Sequence, residues 1–301
     1  MSTSPAQEAG RAAEEGLARY LVSWHPEPVV DHDDLDAAPT AALSAVLDLP
    51  QPAAGPGDTL PLLWHWLHFL EWPPQRELGE DGHPLHGHFL PPLPDRRRMF
   101  AGGRLRVQEP LRLGTPAWRR SSLHRVETKH GRSGEMVFVT TRHEFGQGDR
   151  SCLVEEQDIV YRCEDRAPSR PVPPDPDAAL PREAADWSVP MRPDSRMLFR
   201  ISALTANSHR IHYDAPYAEQ REGYPGLVVH GPLLALLMAE SLRRNAQARP
   251  TSFDYRLRSP IFTGEELRAV RDGERGDGGR VRLRVETARE SRHATAAAGW
   301  A

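Results

Sequence analysis

The stretch Pro232-Leu-Leu-Ala-Leu-Leu-Met-Ala-Glu-Ser-Leu-Arg-Arg-Asn245 constrains this chain most. Apolar side chains run nearly all the way round its first two turns, whereas a helix on a domain surface keeps one polar face. Such a helix has to be covered from most sides. Gly231 and Pro232 fit N-cap and N1 roles at its start, and two arginines suit its C-terminal end. The apolar run, residues 233–239, is far shorter than the about 20 residues that cross a bilayer, so the cover must be protein. Strand patterns supply it. Residues 280–287 alternate strictly, with Val281, Leu283 and Val285 on one face and Arg280, Arg282 and Arg284 on the other. Residues 134–143 and 156–162 are further strands, and residues 40–48 form a shorter helix in the first half. One buried helix per half, wrapped by antiparallel strands, is an α+β arrangement.

Prolines punctuate this pattern. The N-terminal tail, residues 51–58 and residues 166–193 are expected to be loosely ordered, and the last reads as an extended linker. The expected division is 12–165, a linker 166–193, and 194–301. A net charge of −4 points away from nucleic acid and from a polybasic membrane surface. The start of the chain has no basic segment followed by an apolar core, so no secretory signal is read there. Cys152 and Cys163 lack C-x-x-C spacing and neighbouring histidines, which argues against a disulfide framework or zinc site and for a cytoplasmic setting.

The chemistry is concentrated between residues 198 and 234. Asn207, His209, His212 and Asp214 fall within eight positions. His209-x-x-His212-x-Asp214 could supply metal ligands, but a catalytic metal takes three geometrically converged ligands, and the helical H-E-x-x-H arrangement is not present. Asp214, just before Ala-Pro-Tyr-Ala, is explained as a helix N-cap. No G-x-S-x-G elbow supports a nucleophilic serine. Acid/base work by His212 is left, since an imidazole titrates near neutrality. The buried helix starting at Gly231 would aim free N–H groups and its positive dipole end at whatever lies before it, such as a thioester oxygen that becomes an enolate.

The stretch Ala203-Leu-Thr-Ala-Asn-Ser-His-Arg-Ile-His-Tyr-Asp-Ala-Pro-Tyr-Ala, followed by Gly223-Tyr-Pro-Gly-Leu-Val-Val-His-Gly-Pro-Leu, resembles the MaoC-like hydratases and dehydratases. Within them it is similar to the branch of type 2 hydroxyacyl-thioester dehydratases and mesaconyl-CoA hydratases. Leu78-Gly-Glu-Asp-Gly-His-Pro, Arg97-Arg-Met-Phe-Ala-Gly-Gly and Glu156-Gln-Asp-Ile-Val-Tyr-Arg are similar to that branch's N-terminal region. The resemblance implies a double hot-dog, each half a long central helix wrapped by an antiparallel sheet, with the active site in the C-terminal unit. It implies a hydro-lyase of fatty acid metabolism, adding water to an α,β-unsaturated acyl thioester or removing it from a 3-hydroxyacyl thioester. His212 takes the position of the family's histidine. Asn207 takes that of the family's aspartate five residues earlier, and being neutral it can orient water but not deprotonate it.

The expected site is therefore Asn207, His212 and Gly231 for catalysis, with His209, Arg210, Tyr224, His230, Arg97 and Arg98 toward the substrate. His209 and His230 serve equally well as packed histidines. The arginines could meet the phosphates of coenzyme A or an acyl carrier protein. No G-x-G-x-x-G follows a strand, so no nucleotide cofactor is expected, and no metal. Two rivals share the fold: a non-catalytic acyl-thioester-binding protein and a hot-dog thioesterase. Monomer and homodimer are both open.

Overall fold

The computed structural model describes residues 16–94, 96–131, 134–163, 173–175, 178–180, 185–273 and 279–300. The expected loose N-terminal tail lies outside them, as do residues 166–172, 176–177 and 181–184 of the expected linker. The strands are β1 (Val29–Asp33), β2 (Arg97–Val107), β3 (Ala117–Gly131), β4 (Gly134–Gln147) and β5 (Arg150–Arg162), then β6 (Val189–Met191), β7 (Ser252–Leu257), β8 (Leu267–Arg271), β9 (Arg280–Thr287) and β10 (Ala294–Gly299). They form a single sheet in the order β1-β3-β4-β5-β2-β7-β10-β9-β8-β6. Every neighbouring pair is antiparallel. The first five strands in sequence make one half of the sheet and the last five the other, joined where β2 pairs with β7.

That seam explains two glycines. A Cβ on Gly102 would stand 2.4 Å from the Tyr255 carbonyl oxygen, and one on Gly103 2.5 Å from both the Tyr255 hydroxyl and the Glu156 carbonyl. Gly102 has φ +151 and lies at a register shift in the β2–β5 ladder. Only glycine lets the two half-sheets approach this closely.

The helices are α1 (Ala37–Val46), α2 (Ser195–Leu204), α3 (Ala215–Gln220) and α4 (Gly231–Asn245). In α4 every residue from Leu233 to Leu242 is buried, as its all-round apolar pattern requires. Each of its five buried leucines contributes roughly 1.5–3 kcal/mol relative to exposure. The helix contacts β6, β7, β8, β9 and β10, so the second half is a helix wrapped by antiparallel strands. At its polar end Glu240, 1% exposed, accepts from Arg243 and Arg244 at 2.7 Å. The first half's helix is shorter, ten residues capped by Asp36 at the N–H of Ala38, and is followed by a 3-10 turn (Trp64–Leu67). One apolar core runs through both halves, from Leu43 and Phe145 to Leu198 and Leu236.

Three expectations need correction. The N-cap of α4 is His230, with Gly231 the first helical residue and Pro232 the second, one position later in role than the sequence suggested. The 166–193 stretch is not linker throughout, because Val189–Met191 pairs with β8. Residues 51–58 are tied down: the N–H of Gly57 donates to the Leu113 carbonyl (2.9 Å), and that of Leu113 to the Asp58 carbonyl (3.0 Å). The Arg stripe of β9 is the wet side of the sheet, with Arg280 and Arg282 exposed and Arg284 paired with Glu286 and Asp272.

Candidate active site

Helix α2 delivers the site. Asp194 caps its start by accepting from the N–H of Met197 (2.8 Å), and its end closes through the N–H of Asn207 onto the Ser202 carbonyl (2.9 Å). Ala206, at φ 49, turns the chain left-handed, which aims Asn207–His209 back across the helix end. A 3-10 turn, Arg210–His212, then carries His212 inward, and Asp214 caps α3 by accepting from the N–H of Tyr217 (3.1 Å).

His212 is 6% exposed. Its Nδ1 lies 2.7 Å from the Val228 carbonyl, which can only accept, so Nδ1 carries the proton. Nε2 is left as a lone pair that meets no hydrogen-bond partner among the described residues. Burial pushes the His212 pKa down to about 3 against the opposing pull of the Val228 carbonyl, so the ring is neutral at pH 7. His230 stacks on it at 3.7 Å and 17°, with its Nε2 2.9 Å from Ser202 Oγ and its Nδ1 buried without a partner. Burial and the neighbouring His212 hold His230 well below the ordinary histidine range. Two stacked rings cannot both become cationic, so the pair carries at most one proton. Gly231 follows His230 directly, and its N–H, in the first turn of α4, has no acceptor within the helix.

Asn207 is not simply turned toward His212. Its Oδ1 accepts from the N–H of His209 (3.0 Å), so only its NH₂ group is free, and among the described residues that group meets no acceptor. The His209 ring stands edge-on to His212 at 5.5 Å and is held near pKa 3 by burial and by the charge of His83.

The first half supplies a wall that local sequence could not reveal. The N–H of Arg210 donates to the Asp81 carbonyl (2.8 Å) and Ser208 Oγ to the Gly82 carbonyl (2.6 Å). A Cβ on Gly82 would lie 1.9 Å from the Ser208 carbonyl oxygen, and its φ is +87, so glycine is required. This docking brings His83 onto His209, with ring centres 4.0 Å apart.

The other expected substrate residues divide. Arg210 donates to Asp214 Oδ2 (2.7 and 3.0 Å) and the Glu80 carbonyl (3.0 Å), and its guanidinium lies 4.1 Å from the Tyr217 ring centre. These contacts brace the His212 turn and use three of the arginine's five N–H groups. Tyr224 packs on Phe262 behind that turn, in a cluster with Ile211, Tyr217 and Val228. Arg97 reaches Glu222 at 3.6 Å, and Arg98 is exposed with its charge acting on His209. Both stand at the rim of the site.

An antiparallel sheet wrapped on a buried helix, with a neutral histidine beside that helix's N-terminus, defines the MaoC-like hot-dog class. Two solved structures share the fold: a MaoC-like dehydratase from Phytophthora capsici (TM-score 0.64, 12% identity, 95% of this chain and 99% of the other) and HtdX of Mycobacterium tuberculosis (TM-score 0.60, 17% identity, 91% and 100%). The sequence profile of hydroxyacyl-thioester dehydratase type 2 matches residues 63–263. The mesaconyl-C(4)-CoA hydratase of Chloroflexus aurantiacus is 44% identical over 265 residues, covering 88% of this chain and 92% of that protein. The mitochondrial hydroxyacyl-thioester dehydratase type 2 of Schizosaccharomyces pombe is 27% identical over 240 residues, 68% and 75% of the two chains. The chain belongs to the hydroxyacyl-thioester dehydratase type 2 family, and its chemistry is that of a hydro-lyase on acyl thioesters. Among the described residues no helix is long and apolar enough to cross a membrane.

Proposed function

We propose that this enzyme hydrates the double bond of an α,β-unsaturated acyl-CoA carrying a second carboxylate, of the mesaconyl-C(4)-CoA type. The observation that carries the substrate is the 44% identity, over most of both chains, to a hydratase of that compound. A cytoplasmic setting suits such a substrate.

The mechanism follows from His212. Its Nε2 lone pair accepts a proton from water as the water oxygen bonds to the β-carbon, while the Asn207 NH₂ donates to that oxygen and holds it in line. The π electrons move to the α-carbon and thioester oxygen, and the developing enolate accepts from the N–H of Gly231, reinforced by the α4 dipole. His212 then gives its proton to the α-carbon. One residue thus takes and returns one proton, and no acid stronger than an imidazolium is needed. A histidine held near pKa 3 is a weak base in the resting enzyme. The negative charge arriving on the substrate raises its proton affinity in the transition state, where base strength counts. Arg97 and Arg98, at the rim, face the anionic portions of the substrate. In this reading the catalytic groups belong to the unit 194–301, and the 12–165 unit closes the site through Asp81–His83.

The test is a comparison of mesaconyl-C(4)-CoA with crotonyl-CoA, following loss of the conjugated-thioester absorbance. The expected result is a kcat/KM for mesaconyl-C(4)-CoA at least about tenfold above that for crotonyl-CoA, a discrimination of about 1.4 kcal/mol. Equal or reversed preference would remove the dicarboxylic assignment and leave a general enoyl-thioester hydratase.

A further inference from the structure

His209 and His212 are too poorly supported by local sequence to bind a metal, and the structure separates them by function. His212 is turned onto Val228, whereas His209 faces two new partners. Asp81, His83 and His209 each offer a ligand atom, and these atoms all lie within 4.8 Å of one another. Two come from the first half of the chain and one from the second.

The set is organised before any ligand arrives. Asp81 accepts from His83 twice, at the backbone N–H and at Nδ1, both 2.9 Å, so carboxylate and ring already face each other across one proton, which a cation ligated by Oδ2 and Nδ1 would replace. The His209 loop is pinned by Asn207 Oδ1 at its own N–H and by the Gly82–Ser208 backbone contact.

We propose that Asp81, His83 and His209 form a site for a divalent transition metal of the Zn²⁺ type, whose occupation closes the approach to His212. Bonds of about 2.0–2.2 Å to nitrogen and oxygen put tetrahedral ligand atoms roughly 3.3–3.5 Å apart. With the ligand atoms within 4.8 Å of one another, the widest pair closes by at most about 1.4 Å, and His83 and Asp81 are 22% and 32% exposed, free enough on one side to rotate. The charge of Arg98 acts on His209 and opposes any cation. That selects ions with high affinity for imidazole, such as Zn²⁺, Ni²⁺ and Cu²⁺, over Mg²⁺ and Ca²⁺. His209 stands edge-on to His212 at 5.5 Å, so an ion on His209 would sit beside the catalytic ring, where a substrate on His212 must also fit. The blocking effect rests on the hydratase reading of His212, and the binding does not.

The experiment uses tag-free, full-length protein stripped with chelator and titrated calorimetrically with Zn²⁺, without substrate. One ion per chain should bind, and Asp81→Asn and His83→Gln should each weaken binding by about 10- to 100-fold. His124→Ala, removing an exposed histidine elsewhere on the sheet, should leave the affinity unchanged, and the melting temperature of each metal-free variant reports that it is folded. In the hydration assay, zinc should inhibit the wild type, and the same two variants should need correspondingly more zinc, each measured against its own metal-free rate. No binding, or equal binding in folded Asp81→Asn and His83→Gln, would overturn the site. Site-specific binding with an unchanged hydration rate would overturn the closure.

Discussion

Replacing His212 with alanine should lower kcat for hydration by about 10²–10⁴-fold, the contribution of one well-placed acid/base group. The single ring both receives the proton of the attacking water and returns it to the α-carbon, and the neighbouring groups cannot substitute. Asn207 has no basic atom to spare, since its Oδ1 is committed to the N–H of His209. His230 lies parallel to His212 with one nitrogen on Ser202, so its lone pair is not directed where that of His212 is. The Gly231 N–H and substrate-binding contacts persist in the variant, so KM should move far less than kcat. Alanine leaves the Val228 carbonyl without its partner and a void beside His230. His212→Gln, whose side-chain amide can still donate to that carbonyl, serves as the folded control and should be nearly as inactive. Retention of more than a tenth of the wild-type rate in both variants would show that another residue is the base.

The largest effect on stability is expected far from that ring, at Glu155. This carboxylate is 0% exposed beneath the seam between the two half-sheets. It receives His65 Nε2 at 2.8 Å, Trp66 Nε1 at 2.9 Å and, from the other half, the Tyr255 hydroxyl at 3.4 Å. Burial alone would raise its pKa, but the charge and hydrogen bond of His65 outweigh it and hold it below the ordinary glutamate range, so it stays ionised. Glu155→Ala strands two buried donors, on His65 and Tyr255, and the partly buried one of Trp66, and opens a cavity at once. Breaking a buried charge network on one side costs about 3–5 kcal/mol, which lowers the melting temperature of a chain this size by roughly 5–10 °C. Glu155→Gln keeps an acceptor for Trp66 and Tyr255 and should lose less than half as much. Thermal denaturation of the two variants reads both numbers, and equal, small shifts would mean that the network merely fills space.

Much of the catalytic turn was legible because its interactions are local. Asp214 as the cap of α3, the buried helix ahead of Asn245, and the alternation from Arg280 to Val285 each follow from spacing within a few residues. Local spacing also held a signal that went unused: Arg210 and Asp214, four apart, are an ion pair, which ties Arg210 to the His212 turn. Gly231 and Pro232 shifted by one role because a Gly-Pro pair suits cap and first position as well as first and second. Strand β6 escaped notice since three residues in a Pro-rich stretch become a strand only through the partner β8. His83 over His209 and His65 on Glu155 were out of reach for a simpler reason. The latter partners lie 90 positions apart, and nothing in either neighbourhood names the other.

The central claim is that water is added across a carbon–carbon double bond while the thioester survives. Incubation of the wild-type enzyme with mesaconyl-C(4)-CoA in ¹⁸O-labelled water, followed by mass spectrometry and a free-thiol assay, tests it most directly. The expected result is one ¹⁸O in the acyl group of an intact CoA thioester, no thiol release, and loss of the product in His212→Ala. Label in a free carboxylic acid, with one thiol released per turnover, would contradict it and make the protein a thioesterase on the same fold.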